Sequence, residues 1–268
     1  MGMTEKEYRS HPSVSRSELW RLITESPEKF IYNRENPQPP TNALIFGQAF
    51  HMAVLQPEIY DDNFAVAPNV DRRTKAGKEA WETFCEESQG KTVIPEEWQD
   101  TISGMKDKLL ADPFVKKLLS GECEKPFFWT DELTGEGCKC RADCITEIGG
   151  NLYVVDIKTA ENAATDVFMR KSVDYGYPLQ AGMYCEGVKK ATGKECSFVF
   201  IAIEKSPPYA VNIMQADEVY RQYGFDIFRE AIGIYHDCKI NNNWYGYLGK
   251  FHNINMLGLP AYLAKEIG

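Results

Sequence analysis

The sequence predicts an α/β fold in which a core of five strands is wrapped by helices on both sides. Three observations predict it. The first third of the chain has helical spacing and capping residues, the middle has aromatic and β-branched segments between glycine turns, and a long amphipathic stretch follows. The resulting order of the core is β-β-β-α-β-β.

The N-terminal third carries helix signals. Ser15 and Glu18 form an S-x-x-E capping box at the start of a helix that Pro27 limits. A proline-rich connector occupies residues 36–41, and Pro95 stands in the first turn of a later helix. Residues 58–73 show no period and are expected to be irregular. The remaining helices of this third are predicted near residues 42–55, 75–88 and 95–110.

The core follows from alternating strand patterns and glycine or proline turns. Gly149 and Gly150 separate the second and third strands, and Gly193 ends the second core helix. The strands are predicted near residues 125–132, 138–147, 152–159, 195–204 and 209–214. The helices are predicted near residues 164–172, 178–192 and 216–239.

Composition narrows the class of protein. The chain has 268 residues, of which 43% are hydrophobic, so it can bury a substantial core. Its charge of −9 fits either an acidic exterior with a basic channel or a protein that never meets DNA; composition alone leans slightly toward the second. No apolar run reaches the roughly 18–20 residues of a membrane helix, and the N-terminus lacks a signal-peptide core, so we expect a soluble, cytoplasmic protein.

The eight cysteines are scattered and are expected to be reduced, mostly buried thiols. Cys138, Cys140 and Cys144 form the only cluster. It has no CxxC pair, no nearby fourth ligand and no histidine partner, so a zinc or iron–sulfur site is a minor alternative.

The hairpin around Gly149-Gly150 is the main candidate for chemistry. A two-residue loop places Asp143 opposite Asp156 and Arg141 opposite Lys158, with opposed Cβ atoms roughly 4.5–5.5 Å apart. Two facing carboxylates repel each other unless a cation neutralises them, and Mg²⁺ prefers carboxylate oxygens. Lys158 could orient or deprotonate a water, or stabilise charge in the transition state. These groups suit phosphodiester hydrolysis; the alternative is ordinary surface residues on a half-exposed sheet.

Three motifs in the core resemble a known family. They are residues 140–143 (CRAD), residues 154–160 (VVDIKTA) and residues 177–184 (YPLQAGMY). A fourth, residues 47–55 (GQAFHMAVL), lies upstream. Together they resemble the signature of PD-(D/E)XK nucleases of the RecB/RecE type, and among these the phage and prophage RecE (exonuclease VIII) proteins, over roughly residues 10–240. The resemblance implies a restriction-endonuclease-like core, with a central mixed β-sheet flanked by helices and an N-terminal helical extension.

The resemblance also implies roles for individual residues. The metal ligands would be His51, Asp143, Asp156 and the Ile157 backbone carbonyl, and Lys158 would be catalytic. Mg²⁺ is the expected cofactor, and a histidine ligand suggests that Mn²⁺ also supports activity.

Further candidates lie around this set. Gln180 and Tyr184, at i and i+4 of one helix, would contact DNA or order the lysine, although they could merely pack. Glu124 would be an auxiliary acid. No cysteine stands near Ser26–Lys29, and no C-terminal cysteine triplet exists, which argues against the iron–sulfur branch of the family.

Basic and hydroxyl residues are candidates for binding phosphate. Ser15, Arg16 and Ser17 resemble the S-x-S-x-L segment of these nucleases and open a helix, whose N-terminus favours phosphate; a plain capped surface helix is the alternative. Arg72 and Arg73, with Lys75 and Lys78, could line a DNA channel or form a solvated loop.

The expected function is metal-dependent digestion of linear double-stranded DNA from its ends, 5′→3′, leaving 3′ single strands for a RecT-like annealing protein. The resemblance implies a homo-oligomeric ring, and a bacterial or phage origin. We expect a helical region at residues 1–120, the nuclease core at residues 121–240 and a tail at residues 241–268, forming one compact unit. The alternatives are an endonuclease or flap nuclease of the same fold, a non-catalytic DNA-binding or assembly protein, and an acidic zinc-binding protein.

Overall fold

The computed structural model describes residue 3, residues 5–250, residue 254 and residues 256–259 of the chain. Eleven α-helices and eight strands are present in this part. The helices are α1 Glu5–Ser10, α2 Arg16–Thr24, α3 Pro27–Glu35, α4 Asn42–Leu55, α5 Tyr60–Asn63, α6 Lys75–Glu87, α7 Glu96–Ala111, α8 Pro113–Leu118, α9 Thr165–Asp174, α10 Tyr177–Thr192 and α11 Glu218–Ile240. The strands are β1 Val14–Ser15, β2 Phe64–Ala67, β3 Thr92–Pro95, β4 Glu122–Thr130, β5 Gly137–Ile148, β6 Asn151–Ala160, β7 Cys196–Glu204 and β8 Val211–Gln215.

The central sheet is mixed and has six strands. Its order is β1-β5-β6-β7-β8, with β4 on the other edge of β5. The β6–β7 pair and the β1–β5 pair are parallel, and the other pairs are antiparallel. The predicted α/β fold with a central mixed sheet is therefore confirmed, and all five predicted core strands are present.

The β5–β6 hairpin has the predicted register. Gly149 and Gly150 both have positive φ (60° and 81°), as a tight two-residue turn of this kind requires and as glycine adopts readily. The paired residues run from Ile148–Asn151 to Cys144–Val155. The predicted pairs Asp143–Asp156 and Arg141–Lys158 lie beyond the end of this ladder, and Arg141 is paired with Pro126 of β4 instead.

The two strands part at that position. Beyond Cys144, the ladder between β5 and β6 stops, whereas β4 stays paired with β5 as far as Gly137. Since β4 occupies one edge of β5, β1 must occupy the other, where Val14 pairs with Cys138. A gap therefore opens between the upper half of β5 and the continuing β6, and α2 begins directly beside it.

Helices cover both faces of the sheet. On one face, α4, α7 and α8 pack on a core that includes Val155 and Ile157. On the other face, α9 and α10 pack on a core that includes Val154, and α2, α3 and α11 form a third cluster behind α10. Both faces of β6 and β7 are thus buried, which explains their nearly continuous apolar sequences.

Side-chain alternation is interrupted in β5. Cys140 belongs to the core beneath α10 and Cys144 to the core beneath α4, although strict alternation would place both on one face. The alternation is interrupted near Asp143. Glu124 of β4 lies opposite Asp143 and has a φ of 52°. The two cysteines lie on opposite faces of the sheet and are not placed to share one zinc ion.

Several short elements differ from the sequence-based expectations. Residues 58–73, expected to be irregular, contain α5 and β2, and β2 pairs in parallel with β3. The short elements α1, β1, α3, β3 and α8 were also not predicted. Pro95, expected in the first turn of a helix, is instead the last residue of β3 and the residue before α7. Strands of two to four residues are too short to show a period, and their pairing comes from distant parts of the chain.

Of the C-terminal tail expected at residues 241–268, the structure describes residues 241–250, residue 254 and residues 256–259. Within the described part, Trp244 stacks on Phe30, so residues 241–250 return to α3. In the same part of the chain, no helix is both long and apolar enough to cross a membrane.

Candidate active site

Asp143 lies at the point where β5 and β6 separate. The Ile157 N–H donates a hydrogen bond to Asp143 Oδ2 at 2.7 Å, so the side chain bridges the gap to β6. Nδ1 of His51 lies 3.4 Å from the same oxygen. Helix α4, which carries His51 near its C-terminal end, packs against this face through Phe50 and Ala53. Tertiary packing thus brings together two residues that are far apart in sequence.

Glu124 approaches the same point from β4. The register sets it opposite Asp143, between the pairs Cys123–Cys144 and Lys125–Ala142. One ligand atom from each of His51, Glu124 and Asp143 can lie within 4.8 Å of the others, the one such cluster among the described residues. A positive φ is unfavourable for a glutamate, and strained conformations of this kind persist where the surroundings impose them.

Arg141 holds Glu124 in place. Its Nε lies 2.7 Å from Glu124 Oε2, and its guanidinium sits 4.9 Å from the centre of the Tyr8 ring. The predicted DNA-binding candidate Arg141 is therefore part of an ion pair with the acidic cluster.

Asp156 has different partners. It is buried on β6, and Gln180 of α10 donates from Nε2 to Asp156 Oδ1. Lys158 Nζ lies 2.5 Å from Asp156 Oδ2. The predicted catalytic lysine thus forms a buried ion pair with one of the two predicted acidic ligands, and Gln180 binds that ligand's other oxygen.

The two aspartates have opposite pKa shifts. Burial and the neighbouring Asp143 raise the pKa of Asp156, although Lys158 opposes the rise. Burial would raise the pKa of Asp143 too, but the adjacent His51, Lys158 and the Ile157 N–H outweigh burial and hold it below its usual value. Burial tends to lower the pKa values of His51 and Lys158, and the nearby carboxylates reverse this and raise both.

The donor set fits a divalent metal ion. His51, Glu124 and Asp143 offer one imidazole nitrogen and carboxylate oxygens, which suit Mg²⁺, Mn²⁺ or a borderline metal. The concentration of carboxylates in a buried region requires neutralisation, which His51 and a bound cation would both supply. The expected ligand Asp156 lies next to this cluster, with its oxygens bound by Gln180 and Lys158.

Tyr184 and the residues at the start of α2 lie near the site. The Tyr184 ring packs at 6.1 Å from Phe198, and burial raises its pKa well above the usual value. Arg16 donates from its guanidinium to the Tyr175 carbonyl, and burial lowers its pKa. The guanidinium also lies 5.8 Å from the centre of the Tyr177 ring.

The predicted capping box at the start of α2 is present. The backbone N–H of Ser15 donates to the Glu18 carboxylate at 2.9 Å, and its hydroxyl donates to the same carboxylate at 2.7 Å. The hydroxyl oxygens of Ser15 and Ser17 lie 3.3 Å apart.

Arg72 and Arg73 precede α6 and have local partners. Arg72 lies 4.5 Å from the centre of the Trp81 ring, and Arg73 forms an ion pair of 2.9 Å with Asp71. Lys75 lies 3.8 Å from Glu79. The structure places these cations outside the cluster around Asp143.

Sequence reasoning missed Tyr177 as a neighbour of the lysine. Its ring centre lies 4.8 Å from Lys158 Nζ, and this contact contributes to the shifted pKa values of both groups. Tyr177 precedes Pro178 at the start of α10 and is the first residue of the motif at residues 177–184. Tyr177 is three residues before Gln180, a spacing that places both side chains on one face of a helix, and this spacing could have identified Tyr177 as a neighbour of the site.

The mixed sheet, the helices on both faces and the buried Asp-x-Lys beside a second aspartate define a protein of the PD-(D/E)XK-like class. The chain belongs to the family described as PDDEXK-like domain of unknown function (DUF3799), which matches residues 15–255.

A crystal structure from Eubacterium rectale, titled "Putative exonuclease", has the same fold. It superposes with a TM-score of 0.65 at 16% sequence identity, covering 100% of this chain and 99% of its own. The crystal structure of SSO0001 gives a TM-score of 0.34 at 14% identity over 71% of this chain and 86% of its own. No curated protein sequence matches the chain.

Proposed function

We propose that this protein is a divalent-metal-dependent exodeoxyribonuclease that degrades linear double-stranded DNA from its ends. The observation that carries the proposal is a group of charged side chains, with two buried aspartates among them, at the point where β5 and β6 separate. There Asp143 is next to His51 and Glu124, and Asp156 is paired with Lys158. A membership in the PDDEXK-like family supports the same reaction class.

The residues divide the work of hydrolysis. His51, Glu124 and Asp143 would hold a metal ion. Asp156 and the Ile157 carbonyl, which the resemblance also names as ligands, would lie beside these three residues. A bound ion would supply Lewis-acid chemistry and an activated water. Lys158, as a cation held by Asp156, donates to a non-bridging oxygen of the scissile phosphate and stabilises its developing negative charge.

Other residues of the site hold these groups and the DNA. Gln180 fixes Asp156 by a hydrogen bond, so that Asp156 holds Lys158 in its position. Tyr184 packs behind the site. Ser15, Arg16 and Ser17 at the start of α2 would hold a neighbouring DNA phosphate, and Arg72 and Arg73 would contact DNA at a distance from the site.

The finer parts of the proposal come from the resemblance to RecE-type enzymes. Digestion would run 5′→3′ and leave 3′ single strands for a RecT-like annealing partner in phage or bacterial DNA recombination. The protein would act in the cytoplasm as a homo-oligomeric ring, with Mg²⁺ as its cofactor and Mn²⁺ as a substitute. Substrates labelled at the 5′ or the 3′ end test the polarity, and sedimentation analysis tests the ring.

The first experiment compares an end-labelled linear duplex with a covalently closed circle, in Mg²⁺ or in EDTA. The wild-type protein is compared with Lys158→Ala and with Lys194→Ala, which removes an exposed lysine paired with Glu147 at the other end of the hairpin. We expect metal-dependent loss of the linear duplex alone, abolished only by Lys158→Ala. Cutting of the circle would favour an endonuclease of the same fold, and no cleavage of either substrate would favour a DNA-binding protein.

A further inference from the structure

A row of three aromatic rings leads from the core to solvent, from Phe200 of β7 through Tyr177 at the start of α10 to Tyr175 in the loop between α9 and α10. Tyr177 stacks on Phe200, with ring centres 5.6 Å apart and planes at 27°, and lies 4.8 Å from Lys158 Nζ. Tyr175 continues the row at 5.7 Å from Tyr177 and is 55% exposed. The inner part of the row therefore touches the proposed catalytic lysine, and its outer end is open.

The backbone that presents Tyr175 is held on several sides. Gly176 has a left-handed φ of 65°, and a Cβ there would lie 2.4 Å from the Trp20 indole, so the loop is packed tightly against α2. The Tyr175 N–H donates to the Lys171 carbonyl at 3.1 Å, and the Arg16 guanidinium donates to the Tyr175 carbonyl. The ring is thus an exposed aromatic surface on a fixed support.

A single exposed aromatic residue is common and needs no function. Tyr175 differs in its position, because its ring is next to Tyr177, which contacts Lys158. Its backbone carbonyl also accepts a hydrogen bond from the cationic Arg16. A flat π-surface next to a cation is the combination that binds a nucleotide, because the base stacks and the phosphate is attracted.

We propose that Tyr175 stacks on a nucleobase next to the scissile phosphate, and that this base is unpaired. Bases inside a duplex are covered on both faces by their neighbours, so an enzyme gains such a contact by taking the base out of the stack. The preferred substrate is accordingly a DNA end with unpaired terminal nucleotides. The inference rests on the proposed function and adds to it the state of the substrate at the site.

The test measures binding by fluorescence anisotropy, with EDTA present to prevent cleavage. The DNA probes are a blunt duplex and the same duplex with a short single-stranded overhang that contains 2-aminopurine, whose fluorescence falls on stacking. Four proteins are compared: wild type, Tyr175→Ala, Tyr175→Phe and Tyr32→Ala. The last removes a tyrosine of similar exposure (60%) on α3 and serves as the matched control.

We expect Tyr175→Ala to weaken binding of the overhang duplex on the order of tenfold and to abolish the 2-aminopurine quench. Tyr175→Phe keeps the ring and should bind as wild type, as should Tyr32→Ala. The blunt duplex should respond less to Tyr175→Ala.

Three outcomes would overturn the inference. Equal affinities of Tyr175→Ala and Tyr32→Ala would exclude stacking at this residue, and equal effects on both probes would exclude preference for an unpaired base. If wild type cleaves linear DNA in Mg²⁺ under either outcome, the proposed function stands and only the inference fails. If wild type neither binds nor cleaves either probe, both fail.

Discussion

The two halves of the site neutralise a buried aspartate in different ways. On the α4 side, Asp143 accepts from the Ile157 N–H and lies beside His51 and Glu124. On the α10 side, Asp156 is bound on one oxygen by Gln180 and on the other by Lys158. The first half collects acceptor atoms around one point and has Arg141 paired with Glu124 at its edge, whereas in the second half the lysine is paired directly with the aspartate.

This difference between the two halves assigns two functions to different residues of the site: metal binding to one half and positioning of Lys158 to the other. A half that gathers carboxylate and imidazole acceptors is suited to hold a metal ion. A half whose carboxylate is committed to an amide and an ammonium is suited to hold that ammonium against a substrate. We therefore expect metal affinity to depend mainly on the α4 side and the rate of the chemical step on the α10 side.

The largest expected effect is that of Asp143→Asn. It should lower Mn²⁺ affinity by more than about 100-fold, beyond the loss typical of residues that only support ligands, and reduce activity to background. Asp156→Asn should also be inactive but keep most of the Mn²⁺ affinity. Isothermal titration with Mn²⁺ measures both, with Asp237→Asn on the exposed side of α11 as a control. Equal losses of Mn²⁺ affinity in Asp143→Asn and Asp156→Asn would contradict the assignment of metal binding to the α4 side.

Lys158→Ala should reduce kcat by about 10²- to 10³-fold, the range for removal of one donor that stabilises a transition-state anion. Mn²⁺ affinity should change little, since the lysine does not belong to the cluster of acceptors. Single-turnover cleavage of a linear duplex gives the rate, and titration gives the affinity. A loss of Mn²⁺ binding as large as that of Asp143→Asn would contradict the division of functions.

Gln180→Ala should have an intermediate effect, about a 10- to 100-fold loss of activity, because it frees Asp156 from its amide partner. The loss should appear in kcat, with KM for DNA nearly unchanged. Gln222→Ala, which removes an exposed amide bonded to Asp226 on α11, is the matched control. A change confined to KM would instead show that Gln180 contacts DNA.

The smallest effect concerns a third buried aspartate, which is structural. Asp131 accepts hydrogen bonds from Thr134 and Arg229. Burial alone would raise its pKa, but these partners outweigh burial and lower it. Asp131→Asn should reduce the free energy of unfolding by about 2 kcal/mol at pH 7, with Mn²⁺ affinity unchanged.

The sign of the pH dependence follows from the lowered pKa. The carboxylate of Asp131 stabilises the folded state at every pH above its unfolded value of about 3.9, and the contribution is lost as the pH falls through the lower folded value. Urea unfolding of wild type and Asp131→Asn should therefore differ at pH 7 and converge in strong acid. A difference independent of pH would contradict this assignment.

Much of the fold was predictable because its signals are local. The bounds of α4 match the predicted residues 42–55, since Thr41 caps the first turn and Pro57 follows the last. The β5–β6 register followed from Gly149-Gly150, whose two positive φ angles permit one tight turn. Short elements such as β1 and β2 were not predictable, since their pairing partners lie far along the chain.

The sequence by itself determined the five core strands and their succession along the chain, the hairpin register and the identities of Asp143, Asp156 and Lys158 as chemical candidates. Turn geometry, capping and side-chain type act over a few residues, so they can be inferred from residues that are neighbours in the sequence.

Only the tertiary structure decided how these residues are grouped. The fold places His51 and Glu124 beside Asp143. It also places Gln180 and Lys158 where they bind the two oxygens of Asp156. Tyr177 contacts both Tyr175 and Lys158, and this arrangement is also set by the tertiary structure. The physical reason is that the grouping depends on where β6 leaves β5 and on which helix packs against each face. Both are set by contacts between segments that are distant in the sequence.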